Sequence, residues 1–175
     1  MNQPPIISVV GYSGAGKTTL MEKLIGEMTR RGYRVGSIKH DVHGFEMDKP
    51  GKDSWRHKQA GACTTLISSP RQIGMVTDVD HDHNPDELRK FFDHVHVILT
   101  EGYKKQNRPK VEIFRSEIHD APLCRGDDNV FAIMSDIPVG LKARRFALED
   151  VTGLVDFIVE RFKLQGGAKI KNASE

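Results

Sequence analysis

Cysteine, aromatic residues and long apolar runs are all scarce in this chain, and neither sign of charge dominates. Its 175 residues include two cysteines, one tryptophan and 7% aromatics. Cys63 and Cys124 lie far apart and outside any C-x-x-C spacing, which argues against a disulfide framework and suits a reducing compartment. No apolar run approaches the ~20 residues of a membrane span. Met1–Pro5 has neither a basic region nor an apolar core, so a cytoplasmic chain with no signal peptide and no membrane association is expected. Lys and Arg total 26 against 24 Asp and Glu, a net charge of +2, and this near-cancellation leaves no electrostatic footprint for nucleic acid. Length and a 38% hydrophobic, 29% charged balance are those of one globular domain, placed here at residues 1–165 with a polar tail at 166–175.

Glycine is where the chain becomes specific. Gly11-Tyr12-Ser13-Gly14-Ala15-Gly16-Lys17-Thr18 matches the phosphate-binding pattern G-x-x-x-x-G-K-[ST]. Ile6 to Val10 before it reads as a buried parallel strand, and Leu20, Met21, Leu24, Ile25 and Met28 after it recur at helical spacing. The glycines let the backbone aim successive N–H groups inward, and the helix N-terminus adds partial positive charge toward a polyphosphate. Gly11, Ser13, Gly14, Ala15, Gly16, Lys17, Thr18 and Thr19 are therefore the candidate phosphate contacts. Lys17 would reach the β- and γ-phosphates, and the Thr18 hydroxyl would serve Mg2+.

Apolar runs and breakers sketch the rest. Strands are predicted at Arg34–Ile38, Cys63–Ser68, Arg71–Thr77, Val95–Thr100 and Val130–Met134, with the second and third paired as a hairpin through Ser69-Pro70. Lys39 to Asp53 reads as a long polar loop, Ser54 as the cap of a short helix to Ala60, and Asn84-Pro85-Asp86-Glu87 as another helix start. Lys110–Phe114 alternates, and Glu112 leaves it open between a strand and an irregular solvent-facing segment. Val151–Phe162 closes as a helix stopped at Gly166-Gly167. Alternating strands and helices predict a three-layer α/β, P-loop NTPase fold, with a mostly parallel sheet and an antiparallel β-hairpin insertion.

In such sheets ligands bind beyond the carboxyl ends of the strands. Glu101, directly after the Val95–Thr100 strand, is a candidate magnesium or water-directing acid, although most P-loop proteins use Asp there and D-x-x-G is absent. Asp53 could hold a metal-bound water while Lys39, Lys49 or Lys52 offset phosphate charge, though a solvated charged loop has the same composition. Asp136 stands where many GTPases read guanine, but N-K-x-D is missing, and an exposed turn-forming acid before Pro138 is the stronger reading of the residues alone. Zinc sites usually need three or four ligands of well-defined spacing, and His81-Asp82-His83 sits in a polar loop without a nearby Cys pair, so a solvated loop is the stronger reading there.

Together, GYSGAGKTTLMEKL, IKHDVHGFEMDKPGKDSWRHKQAGA, VILTEGYK and AIMSDIP resemble the MobB family, the GTP-binding adaptor of molybdopterin guanine dinucleotide synthesis. Asp48–Ser54 and Glu101–Lys104 are its most distinctive stretches here. The resemblance implies a homodimer that binds GTP with Mg2+, hydrolyses it weakly, and assists the guanylyltransferase that attaches GMP to molybdenum cofactor, with molybdopterin itself a further candidate partner. It implies phosphate contacts at Gly14, Gly16, Lys17, Thr18 and Thr19, magnesium held by Thr18 with Asp53 or Glu101, and a guanine contact at Asp136. Lys17, Asp53 and Glu101 are then the candidates for catalysis. Tyr12 stands where proteins that dimerise across ATP often carry a lysine, which argues against charge donation between subunits there. A P-loop small-molecule kinase, with Lys39–Asp53 as the acceptor site, is the alternative function.

Overall fold

The computed structural model describes residues 3–166. The chain forms two compact units, one from the segments up to His40 and from Asn84 onward, the other from Asp41–His83.

The first unit is built on a six-stranded sheet in the order β2-β5-β1-β6-β7-β8. Its strands are β1 (Ile6–Val10), β2 (Val35–Lys39), β5 (Val97–Glu101), β6 (Lys110–Phe114), β7 (Val130–Ser135) and β8 (Arg144–Phe146). Every adjacent pair is parallel. Ile7 and Val9 point to one face, where they share a core with Leu20, Leu24 and Met28 of α1 (Lys17–Arg30) and Leu154, Val155 and Ile158 of α4 (Val151–Phe162). Arg31, just past α1, ties these helices together by bonding Glu27 at 2.7 Å and Asp156 of α4 at 2.5 Å. Hydrogen bonds from Arg30 and Arg31 hold the Glu27 carboxyl down to a pKa of about 2.

Alternation sends Val10 to the opposite face, where it packs with Cys124 and Val130. That face is covered by the irregular β6–β7 connection and by the segment containing α3 (Pro85–Leu88), whose Phe92 lies against Gly36 of β2. These layers bear out the α/β expectation.

The second unit holds α2 (Asp53–Gln59) and a separate antiparallel hairpin of β3 (Thr64–Ser68) and β4 (Ile73–Thr77). The insertion predicted from sequence is therefore present as its own two-stranded sheet.

Several boundaries differ from expectation for identifiable reasons. Lys110–Phe114 is an interior strand, and Glu112 is fully buried because its carboxylate accepts the Leu123 and Cys124 N–H groups at 2.5 and 3.2 Å. Lys110 is equally buried, its Nζ donating to Asp127 Oδ2 and Gln106 O at 2.6 Å. The helix at Asn84 has the predicted capping box but lasts only to Leu88 before a 3₁₀ turn at Arg89–Phe91. The helix α2 begins at Asp53, so Ser54 is inside its first turn and not the cap. β8 was not predicted, since Arg144-Arg145-Phe146 has no apolar run. Lys163 ends α4 in a left-handed conformation, earlier than Gly166-Gly167. The predicted polar tail falls outside the described residues from 167 onward.

Candidate functional site

The loop between β1 and α1 turns away from the sheet through glycines with positive φ at 11, 14 and 16. Gly11 is obligatory on two counts: its φ is +150°, and a Cβ there would lie 2.5 Å from the carbonyl oxygen of Ile113 in β6. The loop is thereby pressed onto the neighbouring strand before α1 begins at Lys17. Lys17 folds back so that its Nζ donates to Tyr12 O at 2.8 Å, placing the ammonium over the loop's own backbone. Thr18 and Thr19 follow on the exposed side of the first turn.

Glu101 ends β5, which pairs with β1 so that Glu101 is level with Val9. Register therefore carries its carboxylate to the phosphate loop, where Oε1 accepts the Thr18 hydroxyl at 2.9 Å. The following turn fixes that position. Gly102 has φ +107° and donates its N–H to Val9 O at 3.1 Å, and a Cβ on Gly102 would come 3.1 Å from His40 Cβ. Tyr103, also left-handed at φ 55°, stacks on His40 with ring centroids 4.1 Å apart. This packing explains why Glu-Gly-Tyr occurs as a unit after the strand. Lys39 of β2 is level with Glu101 on its other side.

Two further residues brace the loop and were not picked out from sequence. Arg115, directly after β6, donates from Nε to Ala15 O at 3.2 Å, and Nη1 lies 3.7 Å from Glu117. His119 stacks on Tyr12 with centroids 3.8 Å apart. Arg115 follows from the rule that polar residues at strand ends line the ligand crevice once Lys110–Phe114 is the strand beside β1. His119 has no local signal, because a stack between two loops leaves no pattern in either.

The other candidates are placed as follows. Asp136 follows β7, and its carboxylate accepts the Ser116 N–H at 3.0 Å and the Ser116 hydroxyl at 2.6 Å. Those bonds hold its pKa below the usual carboxylate range. Asp53 belongs to the second unit, where it is exposed at the start of α2 with Arg56 at 3.9 Å. Lys49 and Lys52 are in the same unit and exposed. His81 and His83 stack on each other at 4.1 Å, with Asp80 2.6 Å from His81. His96 precedes β5 and accepts the Arg34 N–H at 2.7 Å, and burial lowers its pKa.

Thr18 and Glu101 are thus the candidate metal-holding groups that the fold joins within one unit. A hydroxyl and a carboxylate are hard oxygen donors, and beside a glycine loop at a helix N-terminus they suit Mg2+ better than a soft transition metal.

Comparison with known proteins gives a consistent picture. The family profile described as "Molybdopterin guanine dinucleotide synthesis protein B" matches residues 6–136. The molybdopterin-guanine dinucleotide biosynthesis adapter protein of Escherichia coli is 36% identical over 168 residues, covering 93% of this chain and 96% of its own. The adapter protein of the same description from Haemophilus influenzae is 36% identical over 159 residues, covering 90% and 89%. Among solved structures, Bacillus subtilis MobB superposes with a TM-score of 0.73 at 29% identity over 93% of this chain and 99% of its own. The MobB homolog from Bacillus stearothermophilus gives 0.70 at 26% identity over 91% and 99%.

Proposed function

Because this chain belongs to the molybdopterin guanine dinucleotide synthesis protein B family, we propose that it is a GTP-binding adapter of molybdopterin-guanine dinucleotide biosynthesis that uses Mg2+ and hydrolyses GTP weakly. The observation that carries this reading is the 2.9 Å hydrogen bond from the Thr18 hydroxyl to the Glu101 carboxylate. P-loop NTPases hold Mg2+ with the loop hydroxyl and a strand-end acid. When bound, Mg2+ supplies charge neutralisation at the β- and γ-phosphate oxygens. Thr18 and Glu101 would hold it. Lys17, whose Nζ rests on Tyr12 O of the loop, would supply positive charge to the β- and γ-phosphates, and the loop's N–H groups would orient them.

Hydrolysis is expected to be slow. Efficient P-loop hydrolysis uses an arginine or glutamine at the transition state, and Arg115 is already braced on Ala15 O and Glu117. An adapter that turns over slowly keeps its nucleotide-bound form long enough to engage a guanylyltransferase, the partner proposed here.

The second unit supplies a surface for self-association. By register, Leu66, Ile73 and Met75 share one face of the hairpin, and they are exposed at 54, 69 and 39%. A two-stranded sheet is marginal alone, and an exposed apolar face of this kind marks an interaction site. A second copy of the chain covering it would make the proposed homodimer.

The test of the nucleotide site is Mg2+-dependent GTP binding by Thr18→Ala and Glu101→Gln. Both variants are expected to bind GTP without the affinity gain that Mg2+ gives the wild type. Retention of the full gain in both would remove the metal assignment.

A further inference from the structure

We propose that the cavity between the β6–β7 and β7–β8 connections is the nucleobase site, and that Asp120 selects guanine there. The proposal rests on the phosphate-loop reading above and deepens it. The cavity has a volume of about 340 Å³ and is lined by Phe114, Asp120, Pro122, Arg125, Ile137 and Leu141, among others. That is within the range of small-molecule sites.

Topology says which way a nucleotide must run. The chain leaves β1 toward β2 and β5 on one side, and later builds β6, β7 and β8 on the other, so the order reverses at the β1–β6 boundary. Ligands in open parallel sheets occupy the crevice at that reversal. With phosphates on the β1 loop, the base can extend over β5 and β2 or over β6 and β7. The first direction is filled: His40 stacks on Tyr103 and packs against Gly102 at the ends of β2 and β5. The second direction is lined by Arg115 and by the His119–Tyr12 stack, and it holds the cavity. A Cβ on Gly11 or Gly16 would meet Ile113 of β6, while Phe114, the next residue of that strand and on the opposite face of the sheet, lines the cavity.

The lining suits a planar heteroaromatic ring with a polar edge. Phe114, Pro122, Ile137 and Leu141 supply apolar walls, while Asp120 and Arg125 bring an acceptor and a donor. Among the described residues, neither Asp120 nor Arg125 has a hydrogen-bond or ion-pair partner, so both are available to a ligand. Guanine presents its N1–H and 2-amino hydrogens side by side, which a carboxylate accepts together, and O6 and N7 as acceptors for a guanidinium. Adenine would turn the N1 lone pair toward that carboxylate, an unfavourable contact. Asp136 has a different part: by taking both the N–H and the hydroxyl of Ser116 it ties the end of β7 to the end of β6. It is a positioning residue that sets the spacing of the connections on either side of the cavity.

The experiment is calorimetric titration of wild type, Asp120→Asn and Lys17→Ala with Mg2+ and GTP, xanthosine triphosphate, ATP or inorganic tripolyphosphate. Asparagine keeps a carbonyl for N1–H and places an amide donor opposite the 2-position, matching the xanthine carbonyl. The expected result for Asp120→Asn is a loss of about tenfold or more in GTP affinity, a gain for xanthosine triphosphate, and unchanged tripolyphosphate binding, while Lys17→Ala weakens every ligand. Asp120 is exposed, and an unchanged melting temperature would confirm an intact fold. If Asp120→Asn binds GTP as the wild type does while Lys17→Ala loses it, the base site is overturned and the phosphate loop stands. If the wild type binds neither GTP nor tripolyphosphate, both are overturned. A wild-type preference for ATP overturns the role of Asp120.

Discussion

Glu112 shows how one residue can mislead a reading of sequence and still organise the site. A charged residue in the middle of an alternating segment suggests solvent, yet this carboxylate is fully buried and serves as acceptor for the backbone of the β6–β7 connection. It takes the place of a crossover helix, which would have satisfied its own N–H groups. Removing it in Glu112→Ala leaves those donors unpaired and is expected to cost about 2 kcal/mol, measured by urea unfolding. Burial raises its pKa above the ordinary 4.5, so the folded chain keeps the proton to higher pH than the unfolded chain. Stability from this group is therefore fullest below 4.5 and declines as pH rises through the folded value. Glu112→Gln cannot ionise. Its melting temperature relative to wild type is expected to rise between about pH 4 and pH 8, and a pH-independent difference would contradict the assignment. Burial, followed by the nearby Glu112 carboxylate, pushes the Cys124 thiol up to about 11, which keeps it protonated and unreactive.

At the scale of elements, the phosphate loop is set by its glycines and by the strand beside it. Gly11→Ala would force a Cβ against Ile113 O at a positive φ, a strain on the order of 2 kcal/mol. The variant is expected to lose GTP binding while Gly14→Ala, with open space around it, loses less. Equal binding by both would separate loop geometry from function. Much of this was legible beforehand. The strand, glycine loop and helix from Ile6 to Arg30 followed from spacing, and Glu101 followed from its place after an apolar run. Lys110 and Glu112 left β6 open between strand and irregular segment because their charges are satisfied by partners distant in sequence, Asp127 and the Leu123–Cys124 backbone. β8 hid because three residues carry no period. Arg115 and His119 follow β6 in the chain, so the brace on the site becomes visible only with that strand placed beside β1.

For the molecule as a whole, its two units carry different parts of the proposed function. The unit containing the sheet holds the phosphate loop, Thr18, Glu101 and the cavity beyond β6 and β7. The Asp41–His83 unit holds exposed apolar side chains, including Val42, Phe45 and Met47 at 71, 68 and 74%. Isolated surface leucines need no explanation, but this concentration in a short insertion does. Leu66→Lys with Ile73→Lys is expected to convert a dimer to a monomer in light scattering while GTP binding persists. A wild type that is monomeric at micromolar concentration would contradict the self-association surface.

The nucleotide site is tested most directly by equilibrium binding of GTP to wild type and Lys17→Ala, each with and without Mg2+. GTP binding is expected to be strengthened by Mg2+ in the wild type and weakened at least about tenfold in the variant, the scale of a lost charge-assisted hydrogen bond. Identical titrations for the two proteins would contradict it, because the loop at Gly11–Thr18 would then not be where the nucleotide binds.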